Sequence, residues 1–275
     1  MRIRFLGTGS SGGVPLYGCH CLACESARND VRLIRRPSTA LVEAKSTKIL
    51  LDAGLMDIHE RFPSGNISAI LLTHFHPDHV QGLFHLRWGE GKPIAVFAPN
   101  DAEGCADLYK HPGLLEFRCL REFETIKIGC FKVTPLPLLH SKPTVGYAIE
   151  SADGERFAYL TDTLGLPQST CDFLAEWGEF DLALDCTYPP ANAPRNHNDL
   201  STALAIIAAV NANQTWLTHI SHEHDAWRHS HFAQLSATIN YAYDGLRVQL
   251  SNGKSRQASS PSIQKYRGKT LYLSE

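Results

Sequence analysis

Thr73-His74-Phe75-His76-Pro77-Asp78-His79 closes an apolar run, Ile67 to Thr73, that reads as a fully buried strand. Four potential metal ligands fall within six residues, where that strand gives way to a loop. A loop at a strand's end lies at the edge of a sheet, where several segments can converge on one ligand. The spacing lets His74 and His76 face one ion while Asp78 and His79 face another. Histidine is an uncommon residue, and a solvated loop rarely arrives at this spacing by chance.

The same junction recurs along the chain. Thr134-Pro135-Leu136-Pro137-Leu138-Leu139 runs into His140, Ala158-Tyr159-Leu160-Thr161 into Asp162, and Trp216-Leu217-Thr218 into His219. A single histidine at a strand end is more often structural than a ligand. Four apolar strands that each end in histidine or aspartate point instead to one site assembled from distant segments. Other short strands are expected at Ile3 to Leu6, Ile94 to Ala98, Phe131 to Leu136, Gly146 to Glu150, Arg156 to Thr161, Asp181 to Asp185 and Thr215 to Thr218. Thr39 to Glu43 and Lys48 to Asp52 look like a hairpin. Helices are expected over Leu200 to Asn211, opened by Asp199 or Ser201, and over Leu166 to Trp177. Strands with helices interspersed suggest a layered α/β arrangement, sheets face to face and helices outside. The glycine-rich turn Gly7 to Gly13 fits neither G-x-G-x-x-G nor the P-loop, and no periodic helix follows it, so nucleotide binding is disfavoured.

Composition narrows the class. The 275 residues are 43% hydrophobic and 20% charged, which excludes disorder, collagen and coiled coil. No apolar run is long enough for a membrane span. The N-terminus reads as a first strand rather than a signal peptide, so the expected compartment is the cytoplasm. With 26 basic and 28 acidic side chains the net charge is −2, which disfavours a nucleic-acid partner. The segment from Lys254 to Glu275 stands apart, with five serines, five basic residues and one acid. It reads as a C-terminal extension, either mobile or docked through an edge strand at Lys269 to Leu273.

Histidine, at 14 residues, is the unusual count, and eight cysteines accompany it. Cys19-His20-Cys21-Leu22-Ala23-Cys24 offers three thiolates within six residues. Three thiolates and one imidazole make a closed, structural tetrahedral zinc site. His20 would strain the ring it closed, so His222, three residues after His219, is the expected fourth ligand. The other five cysteines read as small core residues.

His-x-His-x-Asp-His, followed in order by single His, Asp and His ligands at strand ends, resembles the metallo-β-lactamase superfamily over residues 1 to about 253. That resemblance implies an αββα sandwich with metals at one rim. It implies His74, His76 and His140 on a first ion, Asp78, His79 and His219 on a second, and Asp162 bridging the two. Imidazole and carboxylate ligands suit Zn²⁺ or Mn²⁺. Two such ions about 3.5–4 Å apart can trap a hydroxide as nucleophile and neutralise charge on a phosphoryl oxygen, which suits phosphodiester hydrolysis.

The Cys-x-Cys-x-x-Cys loop on this fold narrows the resemblance to the PhnP-like phosphodiesterases of the carbon–phosphorus lyase pathway. Gln81-Gly82-Leu83-Phe84, Lys110-His111-Pro112-Gly113, His140-Ser141-Lys142, Pro194-Arg195-Asn196-His197 and Leu217-Thr218-His219-Ile220-Ser221-His222 agree with it. The resemblance implies hydrolysis of 5-phospho-α-D-ribosyl 1,2-cyclic phosphate to ribose 1,5-bisphosphate in phosphonate catabolism. It marks His197 and Asp78 as catalytic, His197 as the general acid. The implied partner is that phosphorylated ribose cyclic phosphate, and a homodimer is left open. Arg195, Lys142 and Arg87 are candidates for its second phosphate. Three alternatives remain. A tRNA 3′-processing nuclease on the same fold would need a basic, glycine-rich arm, which is not found. A PqqB-like protein tends to lack the full ligand set. A zinc-stabilised binding protein would hold one metal rather than three.

Overall fold

In the strand Thr47–Leu51, Ile49 and Leu51 face one way, Leu50 faces the other, and all three are fully buried. Alternation with both faces buried requires a covering layer on each side of the sheet. The computed structural model describes residues 1–190, 195–231, 235–251 and 256–257. In chain order its elements are β1 (Arg2–Gly7), α1 (Leu22–Asn29), β2 (Thr39–Ala44), β3 (Thr47–Leu51), α2 (Ile58–Arg61), β4 (Ala69–Leu71), α3 (Pro77–Leu86), β5 (Ile94–Ala98), α4 (Ala106–Lys110), β6 (Leu115–Cys119) and β7 (Ile126–Ile128). They continue with β8 (Phe131–Pro137), β9 (Val145–Ser151), β10 (Arg156–Leu160), α5 (Gln168–Trp177), β11 (Asp181–Asp185), α6 (Leu200–Val210), β12 (Thr215–Thr218), α7 (His222–Ser230), β13 (Ile239–Tyr241), β14 (Arg247–Gln249) and β15 (Arg256–Gln257).

Two mixed sheets result, ordered β15-β14-β1-β2-β3-β4-β5-β6 and β13-β12-β11-β10-β9-β8-β7. Their facing surfaces meet in a core that includes Phe5, Leu51, Phe131, Tyr147, Tyr159 and Trp216. Leu50, Ile70 and Val96 pack outward against Ile58, Val80 and Leu83 of α2 and α3. Leu182, Leu184 and Leu217 pack outward against Leu174, Ala203 and Ile207 of α5 and α6. This is the αββα sandwich expected from the sequence. Burying side chains of this size contributes roughly 1.5–3 kcal/mol each.

Strand direction decides where the ligands arrive. β3 and β4 are parallel, with Leu51 beside Leu71, so Asp52 and the histidine run leave the first sheet at one rim. β10, β11 and β12 are parallel, with Leu160 beside Leu184 and Asp185 beside Thr218. Asp162, Asp185 and His219 therefore leave the second sheet together. β8 and β10 are each antiparallel to β9, so His140 follows β8 out of the same end. Ligand sites in sheets of parallel strands gather outside such carboxyl ends.

The expected helices and strands appear with shifted ends. Pro167 is the N-cap of α5, so that helix starts at Gln168 rather than Leu166. α6 is capped by Asp199, whose side chain accepts from the Thr202 N–H at 2.7 Å, and it ends where Asn211 turns left-handed. The run expected as a strand from Ile67 shortens to β4. His76 opens α3 directly, with Pro77 at its first position, so half of the ligand motif is helical rather than loop. Of the five cysteines read as core residues only Cys186 is buried; Cys119 is exposed, and Cys105, Cys130 and Cys171 are half-buried. The strand expected at Lys269 to Leu273 lies outside the described residues.

Candidate metal centres

Asp162 sits at the middle of the rim. Its Oδ2 lies 3.7 Å from His74 Nε2, 3.3 Å from His79 Nε2 and 3.8 Å from His140 Nε2, and its Oδ1 lies 3.3 Å from His219 Nε2. On one side His74 Nε2 and His140 Nε2 stand 2.8 and 3.0 Å from His76 Nδ1. On the other, Asp78 Oδ2 stands 3.3 Å from His79 Nε2 and 3.6 Å from His219 Nε2. Two groups of potential ligands thus share Asp162: His74, His76 and His140 in one, Asp78, His79 and His219 in the other.

The far sides of the His74, His79 and His219 rings are engaged by buried partners. The Asp52 carboxylate accepts from His79 Nδ1 at 2.9 Å and from the Thr73 N–H and hydroxyl, and that hydroxyl lies 3.0 Å from His74 Nδ1. Asp185 Oδ1 accepts from the Thr187 hydroxyl at 2.7 Å, and that hydroxyl lies 2.8 Å from His219 Nδ1. His140 Nδ1 donates to the Asn196 carbonyl at 2.9 Å. With Nδ1 engaged, Nε2 turns a lone pair toward the centre. The Nε2 atoms of His79 and His219 are buried without a hydrogen-bond partner. Such atoms ordinarily cost stability, so two of them aimed at carboxylates fit a cation. Burial, reinforced by neighbouring imidazoles, holds His74 well below the ordinary histidine value and lowers His76 and His140, which keeps them neutral, the form that coordinates. Burial opposes charge on Asp78 and Asp162, but His219 and His79 outweigh it and hold both carboxyls well below the usual range.

Three residues of this network adopt left-handed backbone, Asp52 at φ 58°, Asn196 at φ 61° and His219 at φ 59°. Non-glycine residues there cost on the order of 1–3 kcal/mol each and persist where the surroundings over-determine them. Asp52 and Asp185 went unremarked in the sequence, although both close strand-like runs in the same way as Asp162.

His197 lies over the rim. Its Nδ1 donates to Asp185 Oδ2 at 2.8 Å and lies 3.9 Å from Asp162 Oδ2, and the side chain keeps 16% of its surface exposed. Burial disfavours its charged form, yet the Asp185 carboxylate prevails and the pKa is pushed up to about 9. Among the cationic candidates, Lys142 lies half-buried, its Nζ donating to Asp101 Oδ2 at 3.3 Å, and Arg195 is exposed. Arg87 corrects the sequence reading: its guanidinium donates to the Asp107 carboxylate at 2.6 Å and to the His111 carbonyl, tying α3 to α4. Arg87 caps the end of α3 remote from Asp78, about 13 Å along the helix axis, away from the rim.

The cysteine cluster forms a second centre. The structure brings Cys19, Cys21, Cys24 and His222 together, with His222 Nδ1 3.4 Å from Cys19 Sγ and 3.6 Å from Cys21 Sγ. A tetrahedral zinc with ordinary Zn–S and Zn–N lengths has ligand-to-ligand edges of about 3.6 Å. His20 instead pairs with Glu25 at the surface. Burial pushes the Cys24 thiol up to about 12, so a cation binding there displaces a proton. The turn from Gly7 to Gly13 spends its backbone on the protein itself: the Gly9 N–H donates to the Arg36 carbonyl and that of Ser10 to Ile220. It ties the α7 segment to the first sheet rather than cradling phosphate.

The family model described as "Beta-lactamase superfamily domain" matches residues 47–220. A protein of Porphyromonas gingivalis named octanoyltransferase is 31% identical over 271 residues, covering 90% of this chain and 51% of that protein. A ribonuclease Z of Methanopyrus kandleri is 30% identical over 157 residues, covering 54% of this chain and 50% of its own. The chain thus spans about half the length of these curated relatives. A crystal structure described as a new diphosphatase from the PhnP family superposes with a TM-score of 0.72 at 27% identity, covering 94% of this chain and 98% of the other.

Proposed function

This chain belongs to the beta-lactamase superfamily and is PhnP-like, and from that premise we propose that it is a metal-dependent phosphoric ester hydrolase whose substrate is a cyclic phosphodiester of phosphorylated ribose. The observation that carries the reading is a shared carboxylate, Asp162, between two sets of imidazoles whose free nitrogens converge on it. His74, His76 and His140 would hold one divalent ion, Asp78, His79 and His219 a second, with Asp162 common to both. Such ions supply Lewis acidity toward a phosphoryl oxygen and acidify water. Zinc and manganese both suit the donor set. Cys19, Cys21, Cys24 and His222 would hold a structural zinc.

The chain's own residues handle the leaving group. Hydrolysis adds water to phosphorus and breaks one P–O bond, and the departing ribose oxygen must take up a proton. His197 stands over the rim with Nδ1 fixed on Asp185, which leaves Nε2 to deliver that proton. Asp185 keeps His197 charged, and through Thr187 it also orients His219. Lys142 and Arg195 would be the cations that meet a second phosphate.

A second reading has an observation behind it. The PhnP-family structure is described as a diphosphatase, and a phosphoanhydride expels phosphate, a better leaving group that depends less on His197. The test is to assay the metal-replete protein on a cyclic ribose phosphate, a ribose diphosphate and a tRNA precursor. Turnover of the cyclic ester above the others supports the first reading. Preference for the diphosphate supports the second, and preference for tRNA overturns both.

A further inference from the structure

On the outer face of the first sheet, two arginines face each other without a counter-ion. Arg4 of β1 and Arg247 of β14 are directly opposite in an antiparallel pair. Arg4 pairs with Leu41 of β2, which pairs with Leu50 of β3, so β2 and β3 lie between it and the strand that leads to His74. Ile3 and Phe5 point into the core between the sheets, which turns Arg2 and Arg4 onto the outer face. Like charges directly opposite on neighbouring strands are destabilising. The nearby carboxylates are already engaged: Glu43 by Arg2, Asp57 by Arg61 in a two-point pair, and Asp244 by Arg36. Neither Arg4 nor Arg247 forms an ion pair among the described residues. Arg4 Nε is buried with no hydrogen-bond partner. Burial, then the charges of Arg247 and Arg61, lower the Arg4 pKa. Arg4 and Arg247 line a cavity of about 300 Å³ together with Arg2, Ile3, Glu43, Val248 and Gln249.

We propose that this cavity is an oxyanion site that takes the phosphate group of a small soluble molecule, bound between Arg4 and Arg247. A phosphate oxygen would satisfy Arg4 Nε, and its charge would relieve the repulsion across the strands. The site is independent of the metal-centre reading, since it shares no residue with the rim. A cavity of this size exceeds what inorganic phosphate needs, so the ligand can be a phosphate monoester with a small organic body.

Calorimetric titration of inorganic phosphate into the full chain tests the proposal. The wild type should bind one equivalent per chain more than Arg4→Met or Arg247→Met, or bind that equivalent at least ~10-fold more tightly, as loss of a charge-assisted contact implies. Arg4→Lys should retain part of the affinity. Any phosphate bound at the rim is common to all variants and cancels in the difference. Arg247 is exposed, so Arg247→Met carries the test even if Arg4→Met folds poorly. Phosphate should also raise the melting temperature of the wild type more than that of either variant. Equal stoichiometry and equal affinity in wild type and variants would overturn the site. Binding to anionic phospholipid vesicles without binding free phosphate would overturn it in favour of a lipid surface.

Discussion

The rim cluster and the cysteine cluster are both sets of metal-ligand side chains, yet they are built in opposite ways. At the rim, His74, His79 and Asp162 are almost wholly buried, and the rings of His74, His79 and His219 are fixed from behind by Thr73, Asp52 and Thr187. The ligands come from four separate segments, and His197 over them keeps 16% of its side-chain surface exposed. Three of the four donors in the cysteine cluster come from one six-residue stretch, Cys19 to Cys24, that leads into α1, and only His222 comes from elsewhere. Four donors fill a tetrahedron and leave no position for substrate. The difference teaches that outer-sphere support and access, rather than ligand count, separate a reactive centre from a staple.

The largest break in that contrast comes from removing the shared ligand. Asp162→Ala should lose metal at the rim and almost all turnover, beyond the ~10–100-fold that loss of an outer-sphere partner causes. The cysteine centre should keep its zinc, because no rim residue touches it. Elemental analysis of the purified variant, read beside its circular dichroism, checks this. Full metal occupancy with normal turnover would refute the shared role of Asp162.

His197→Ala sharpens the same contrast by separating proton delivery from metal binding. Loss of a general acid typically costs about 10²–10⁴-fold. The cost should fall on the cyclic ribose ester and largely spare a nitrophenyl diester, whose phenolate departs without a proton. Metal content should stay unchanged. Equal losses on both substrates, or loss of metal, would reassign His197 to binding.

Asp185→Asn should act more weakly and through pH. With its pKa raised to about 9, His197 stays protonated to higher pH than a free histidine. The stability this confers is complete below the ordinary histidine value and is lost as pH rises through about 9. A proton donor follows the same window, so the alkaline limb of kcat should lie near 9 in the wild type. In Asp185→Asn it should move downward, with about a tenfold loss at neutral pH. A limb that does not move would show that Asp185 positions His197 without setting its charge.

Much of the rim was legible because ligand residues terminate apolar runs, and runs of Leu, Ile and Val are what a doubly covered sheet requires. His74, His140, Asp162 and His219 announce themselves in this way. The outer-sphere carboxylates do so less, since Asp52 and Asp185 are single acids whose role appears only once parallel pairing sets β3 beside β4 and β11 beside β12. Helix α3 was missed because its first turn is the ligand motif itself, and a run chosen for coordination carries no apolar periodicity. Arg87 misled because closeness in sequence to the ligand motif is not closeness in space: one end of α3 holds Asp78 and the other holds Arg87 against Asp107. His222 could be anticipated because it falls just past a strand-end ligand, although the helix it opens, capped by Ser221, could not.

The smallest effect on turnover should come from the staple. Cys21→Ser removes one thiolate from the closed centre and touches no atom of the rim. Metal binding at such centres is folding free energy, on the order of 10 kcal/mol in small peptides, and far less of it is felt where a large core already stands. Here its reach is local: His222 opens α7, and Ile220, just before it, accepts from the Ser10 N–H and donates to the Thr8 carbonyl. Loss of zinc should therefore loosen the segment from His219 to His222, lower the melting temperature by several degrees and weaken metal retention on the His219 side of the rim. Well below the melting temperature and with metal in excess, turnover should stay within about a few-fold of wild type. Differential scanning calorimetry with zinc analysis measures the first effect, and metal titration of turnover measures the second. Unchanged melting temperature and zinc content would show that the four side chains meet without holding an ion. A collapse of turnover at full rim occupancy would show that the cysteine centre takes part in the chemistry rather than in holding the chain.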